Sequence, residues 1–243
     1  MSLSFFADPV VGTEQLWITD GTVAGTRSIS QAFVASSIQW LTAIGARVYF
    51  VANDGIHGLE LWTSDGTASG TTLVADIKPG ASGSGPFNLT NVDGELFFAA
   101  DDGVHGQELW ESDGTAAGTI MLKDIWPGAT GSVPEILTNI NGTLFFTAND
   151  PVNGIELWKS DGTPSGTVLV KDINPGPGSS MTGSGFANVN GTIFFNAQDK
   201  WIGSWRSREQ FVLRIPFQDR VFEFPFSLPP QEGDFILRKR PED

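Results

Sequence analysis

One eight-residue pattern fixes what this 243-residue chain can fold into. Glu-Leu-Trp-x-Ser-Asp-Gly-Thr stands at residues 60–67, 108–115 and 156–163, and a weaker copy, Gln-Leu-Trp-Ile-Thr-Asp-Gly-Thr, at 15–22. Its tryptophans, Trp17, Trp62, Trp110 and Trp158, are 45, 48 and 48 residues apart. A period of that length marks one supersecondary unit repeated. Such a unit cannot cover its own apolar surface, so its neighbours must. The expected fold is a series of like units sharing a continuous core.

The third copy shows the plan of one unit. A strand over 136–140 is followed by Asn141-Gly142, the two-residue signal of a tight hairpin. A second strand runs over 143–148, a third over 155–160 carries the Glu-Leu-Trp, and a fourth spans 167–173. Between the last two lies the Asp-Gly-Thr turn, and a longer loop leads on over 174–180. Paired aromatics recur in the second strand as Phe5-Phe6, Tyr49-Phe50, Phe97-Phe98, Phe145-Phe146 and Phe194-Phe195. No stretch holds a helical period. Four antiparallel strands per unit are blade-like, so the sequence predicts an all-β chain: a β-propeller of about five four-stranded blades with the last one degenerate. A β-solenoid or an open stack is the alternative.

Residues 1–197 hold four repeats and the start of a fifth. Residues 198–243 are a degenerate closing blade or a divergent segment. Trp205-Arg206-Ser207 falls where the next Leu-Trp-Lys-Ser is due, but Arg208-Glu209-Gln210 replaces Asp-Gly-Thr. If 234–237 forms a last strand, it would meet the first strand of the chain, near Leu3, in one blade and close the ring.

Residues 1–197 carry 6 Lys and Arg against 20 Asp and Glu, and the remainder 8 against 8, so the repeats account for the whole net charge of −14. A surface this acidic repels nucleic acid and anionic membrane. No apolar run is long and clean enough to span a bilayer. There is no cysteine, which excludes disulfides and thiolate metal sites. Met1 leads almost at once into repeat sequence, with no basic and apolar leader before it. The expectation is a chain not exported by that route, or part of a longer one, acting as a monomer or a segment.

The extended pattern ELWxSDGTxxGTxLVKDIxPGxxGS, followed by an Asn-Gly hairpin and LFFxAxD, resembles the bacterial ELWxxDGT repeat proteins, some labelled hyalin-like. The resemblance covers residues 3 to about 197 and is absent beyond. It implies a secreted or cell-surface bacterial protein with no assigned enzymatic activity.

In an up-and-down blade the connections alternate between two ends, and function gathers where the longer loops lie. One end is predicted to hold the Asp-Gly-x-His-Gly and Pro-Gly-x-x-Gly-Ser loops. There Asp54, Asp102 and Asp150 close the aromatic-pair strand, and Asp76, Asp124 and Asp172 close the fourth. Oxygen-only sets of this kind suit Ca²⁺. The competing reading is that each aspartate accepts backbone N–H bonds and holds its loop. Asp20, Asp65, Asp113 and Asp161 lie at the other end and read as turn caps. The motif Trp and Leu point to opposite pleat faces and read as contacts between blades. Trp126 replaces Lys78 and Asn174 in its loop, where no core demand is evident, and is the foremost candidate for ligand stacking. His57, His105 and the equivalent Asn153 occupy a second loop position near it; two histidines on separate blades make no zinc site. No catalytic motif is present. The sequence therefore predicts a non-enzymatic module binding a glycan or an extracellular protein. A structural spacer, or a hydrolase using paired carboxylates, are the alternatives.

Overall fold

A computed structural model describes residues 13–181 and 185–199, together with two short strands outside them, Ser2–Leu3 and Val212–Leu213. The expected strand at 234–237, and with it the closing contact between chain ends, lies outside the described residues.

The chain is all-β there, with no helix among the described residues. Three complete four-stranded antiparallel sheets follow one another in sequence order. The first is built from Gln39–Ile44, Arg47–Asn53, Leu59–Ser64 and Thr72–Ala75. The second comprises Phe87–Val92, Glu95–Asp101, Gln107–Ser112 and Ile120–Lys123. The third comprises Glu135–Ile140, Thr143–Asp150, Gly154–Ser160 and Val168–Lys171. The strands expected from the sequence are these to within a few residues. The hairpins at Asp93-Gly94, Asn141-Gly142 and Asn190-Gly191 turn on a residue with positive φ followed by glycine, and the first complete sheet turns at Gly45-Ala46 with the positive φ on the glycine.

Incomplete sheets flank them. Ser2–Leu3, Trp17–Thr19 and Arg27–Ser28 form three strands, and so do Ala187–Val189, Thr192–Phe194 and Val212–Leu213. In the last sheet Leu213 stands opposite Ile193. In the third sheet the equivalent Leu144 faces Ser160. The motif register therefore predicts Ser207 at that place, and Leu213 stands there instead.

The sheets pack face to face, and the period-two pleat decides how. One core cluster takes Tyr49, Val51, Leu61 and Val74 from the first complete sheet and Leu96, Phe98, Ala100 and Trp110 from the second. The next takes Phe97, Leu109 and Leu122 from the second and Leu144, Phe146 and Trp158 from the third. Each aromatic pair is thus split: its first ring serves the following sheet and its second the preceding one. Leu and Trp of the motif divide the same way. Phe50, Phe98, Phe146, Leu61, Leu109 and Leu157 are fully buried in consequence. Every sheet is apolar on both faces, and at about 25 cal/mol per Å² buried this shared surface is the main source of stability.

The ends of adjacent sheets also interlock. A Cβ on Gly114 would strike the Tyr49 hydroxyl of the preceding sheet, and one on Gly162 would touch Phe97. The first strands are joined edgewise: Asn91 Nδ2 donates to Ala43 O at 3.1 Å and Asn139 Nδ2 to Asn91 O at 3.0 Å.

Candidate functional site

The long loops do gather at one end of each sheet, backbone against backbone. In the second unit, a Cβ on Gly106 would collide with Gly131, and one on Gly131 with Gln107; the same holds for Gly58 and Gly83 in the first. These glycines have positive φ as well, so both space and conformation exclude a side chain. Val133 N donates to Gln107 O and Gly85 N to Leu59 O, each at 3.0 Å, which ties the two loops together.

The motif glutamate holds this assembly from beneath. Glu60, Glu108 and Glu156 have no exposed surface. Glu108 Oε1 accepts from Trp126 N at 3.0 Å and Ser132 N at 2.9 Å, and its Oε2 from Ile125 N at 3.1 Å and Ser132 Oγ at 2.5 Å. Glu60 accepts from Lys78 N at 3.0 Å, and from Ser84 N and Oγ at 2.9 and 2.5 Å. Glu156 takes Ile173 N at 3.2 Å, Ser180 N at 3.1 Å and the Ser180 hydroxyl. Burial pushes all three carboxyls above the usual range, and the loop donors pull them partly back. Every partner is a donor, so the arrangement fits a carboxylate. The weaker first copy has Gln15 in the motif place, and the adjacent Glu14 accepts from Ile38 N at 3.0 Å instead.

This role was not read from the sequence, although a signal existed. Glu60 and Ser84, Glu108 and Ser132, Glu156 and Ser180 are each 24 residues apart. A carboxylate two residues from a buried tryptophan lies on the same buried face of its strand, and such a charge needs partners supplied from elsewhere.

The strand-end aspartates divide into two groups. Asp54 Oδ1 accepts from Ile56 N and His57 N, both at 2.9 Å, and Asp102 Oδ1 from Val104 N and His105 N, both at 2.8 Å. The other oxygen of each receives Nδ1 of His57 or His105 at 2.7 Å. Asp150 makes the same turn with Val152 N and Asn153 N, and Asn153 Nδ2 replaces the imidazole. These bonds are the loop-holding bonds of the competing reading. Partial burial opposes ionisation of Asp54 and Asp102, but the turn amides and the imidazole outweigh it and hold both below the ordinary range. The bond from Asp54 raises His57, with the charges of Asp76 and Glu60 adding to it; Asp102, Asp124 and Glu108 do the same for His105. The structure thus bonds His57 to Asp54 and His105 to Asp102. In the second group, Asp124 and Asp172 each keep one buried carboxylate oxygen without a partner. Among the described residues no three acid or histidine side chains converge as a metal cage.

Trp126 is half-buried, its amide on Glu108. At the equivalent place in the preceding loop, Lys78 Nζ reaches across to Asp101 Oδ2 of the next sheet at 2.6 Å. Among the described residues no other ion pair crosses between units at this end.

The opposite end is closed upon itself. In each motif the aspartate caps the turn: Asp113 Oδ1 accepts from Thr115 N at 2.8 Å and Thr115 Oγ1 at 2.7 Å, and Asp20, Asp65 and Asp161 do likewise. Ser112 Oγ bonds Thr119 Oγ1 at 2.8 Å across the turn.

No family model matches this chain, and no curated protein does. Solved structures do, distantly. A puromycin hydrolase (S511A mutant complexed with PGG) is 15% identical over 80% of this chain and 35% of its own, with a TM-score of 0.45. A structure from a study of two prolyl endopeptidases is 14% identical over 79% and 28%, at 0.44. The computationally designed Ika8 protein is 18% identical over 80% and 54%, at 0.42. The chain therefore spans about a third of the two enzymes and about half of the designed protein.

Proposed function

We propose that this chain is a non-enzymatic binding module of an extracellular or cell-surface protein, of the ELWxxDGT repeat kind. Its sheets are arranged radially as the blades of a propeller of about five blades, and it takes a glycan or a protein at the long-loop end. One observation carries this reading: three successive pairs of long loops are locked by fully buried glutamates into a repeated, rigid platform. Rigid loops on a regular scaffold lower the entropic cost of binding. The aspartates most open to chemistry, Asp54, Asp102 and Asp150, are committed to turns and not paired as an acid and a base. A glycan array and a pull-down from extracellular matrix proteins test this directly. Blank results in both would leave the spacer reading, as would unchanged adhesion after combined substitution of Trp126, His57 and His105.

The unpartnered oxygens of Asp124 and Asp172 favour one addition, a Ca²⁺ ion in each of these two loops held by the carboxylate and neighbouring carbonyls. A melt in millimolar Ca²⁺ against EDTA checks it: a rise of several degrees that Mg²⁺ does not reproduce supports the ion, and superimposable curves remove it.

A further inference from the structure

The first strand of every complete sheet is bulged at one place, and the residue in the bulge is never glycine. Trp40, Asn88 and Ile136 have φ of 56°, 57° and 56°. The register slips between Gln39 and Thr42, Phe87 and Thr90, and Glu135 and Thr138, opposite the buried Phe50, Phe98 and Phe146. Asparagine tolerates that left-handed region; a tryptophan is strained in it and a β-branched isoleucine more so. The geometry is common to three units and belongs to the architecture. The identity of the residue does not, since asparagine or glycine would satisfy the same bulge without strain. Neither Trp40 nor Ile136 joins any of the four apolar clusters, and Trp40 is 44% exposed. A side chain that strains its backbone and leaves the core unhelped is kept for something outside the core.

The three bulges are neighbours. Thr42 Oγ1 reaches both Trp40 O and, in the next sheet, Leu89 O at 3.1 Å. Thr90 Oγ1 likewise reaches Asn88 O at 2.9 Å and Leu137 O at 3.3 Å. The bulges sit at the end of the strand that meets the long loops. Gln39 and Glu135, beside two of them, are exposed.

We propose that Trp40, Asn88 and Ile136 form a contact row for a neutral oligosaccharide, with Trp40 stacking on the apolar face of a sugar ring. Asn88, Gln39 and Glu135 supply amide and carboxylate partners for its hydroxyls. A flat aromatic beside planar polar groups is the chemistry that recognises a sugar, and the acidic repeats disfavour an anionic one. The inference rests on the binding reading above and narrows it to one row and one ligand class.

The test compares the full chain with Trp40→Asn and Ile136→Asn on an array of neutral oligosaccharides, with a melt of each protein. Trp40→Asn is expected to melt no lower than the parent, because asparagine relieves the strain. Its glycan retention should fall about tenfold or more, as for loss of a central aromatic contact. Ile136→Asn should behave alike with a smaller loss. A drop of several degrees in Trp40→Asn overturns the proposal by making the side chain structural, and so does undiminished retention. Should the parent ignore neutral glycans but capture a protein or a cationic peptide, the contact row falls while the binding module stands. Should it retain nothing, the binding reading itself falls.

Discussion

The two ends of each sheet use the same materials, aspartate, glycine and a hydroxyl, and arrive at opposite designs. At the Ser-Asp-Gly-Thr end, an exposed aspartate satisfies its own turn within two residues. The cap itself draws on no distant chain, although Thr71 Oγ1 reaches Ile29 O at 3.0 Å, Lys123 Nζ reaches Thr167 O at 2.7 Å, and Gly114 and Gly162 fit against the preceding sheet. At the long-loop end a buried glutamate satisfies amides 17, 18 and 24 residues away. The first device is local and sits in water. The second is non-local and sits in low dielectric, where a missing partner is costly. Redundancy belongs to the turn end and fragility to the loop end, although both look equally motif-like in sequence.

The largest predicted effect follows from that difference. Glu108→Ala leaves the amides of Ile125, Trp126 and Ser132 and the Ser132 hydroxyl buried without an acceptor. At roughly 1–3 kcal/mol for each unsatisfied group, less what water entry restores, a loss of about 3–5 kcal/mol is expected. Urea denaturation measures it, and amide exchange should show protection lost first over 124–134. Asp113→Ala, the equivalent lesion at the other end, is expected to lower the melting temperature only by a few degrees. Equal losses would mean that the two ends are equally fragile.

The glycines sharpen it next. Gly114 and Gly128 both have strongly positive φ, 90° and 98°. A Cβ on Gly128 meets open space, whereas on Gly114 it meets the Tyr49 hydroxyl. Gly128→Ala should cost about 1 kcal/mol, the conformational term alone, and Gly114→Ala about 2–3 kcal/mol. Removing the hydroxyl with Tyr49→Phe should recover part of the second loss and none of the first, which a double-mutant cycle resolves.

How much of this was legible beforehand follows the same line between local and non-local. The strands, the hairpin turns, the split of Leu and Trp between neighbouring sheets and the capping by Asp113 all come from spacing within about ten residues, where pleat parity and turn chemistry decide. The glutamate latch escaped because its partners lie a full loop away and because Glu108 reads as an ordinary polar residue on a strand. The bulges at Trp40 and Ile136 escaped for a different reason: nothing in a tryptophan or an isoleucine announces a positive φ. Around the loops, the sequence singled out the aspartates and histidines but could not choose between turn and metal, because the atoms that would decide it are adjacent only in the folded loop.

The two carboxylate classes should also answer pH with opposite sign. Burial raises Glu108 in the folded protein, so the proton-dependent part of its contribution is fully present below the ordinary glutamate value of about 4.3 and is lost as pH rises through the folded value, while its loop bonds persist. The Thr115 hydroxyl, and then its amide, lower Asp113, so that contribution is present above about 3.9 and lost as pH falls through the folded value. Melting temperature against pH should accordingly flatten on the neutral side in Glu108→Gln and on the acid side in Asp113→Asn. The same side flattening in both would contradict the assignment.

The smallest effect is the most specific. Asn153 already performs, with Asp150, what His57 and His105 perform with Asp54 and Asp102. The chain therefore contains its own control for the histidines. Both imidazoles are raised by the bond to their aspartate, so the pair adds stability that is full below the ordinary histidine value of about 6.5 and is lost as pH rises through the folded value. Replacing both with asparagine should leave the melting temperature within about a degree of the parent near pH 8, because the turn amides remain bound and the new amide makes the same bond. Near pH 6 the parent should gain stability and the double variant should not. A variant that lost stability equally at both pH values would show that the ring packs rather than bonds, and the match with Asn153 would then be one of position alone.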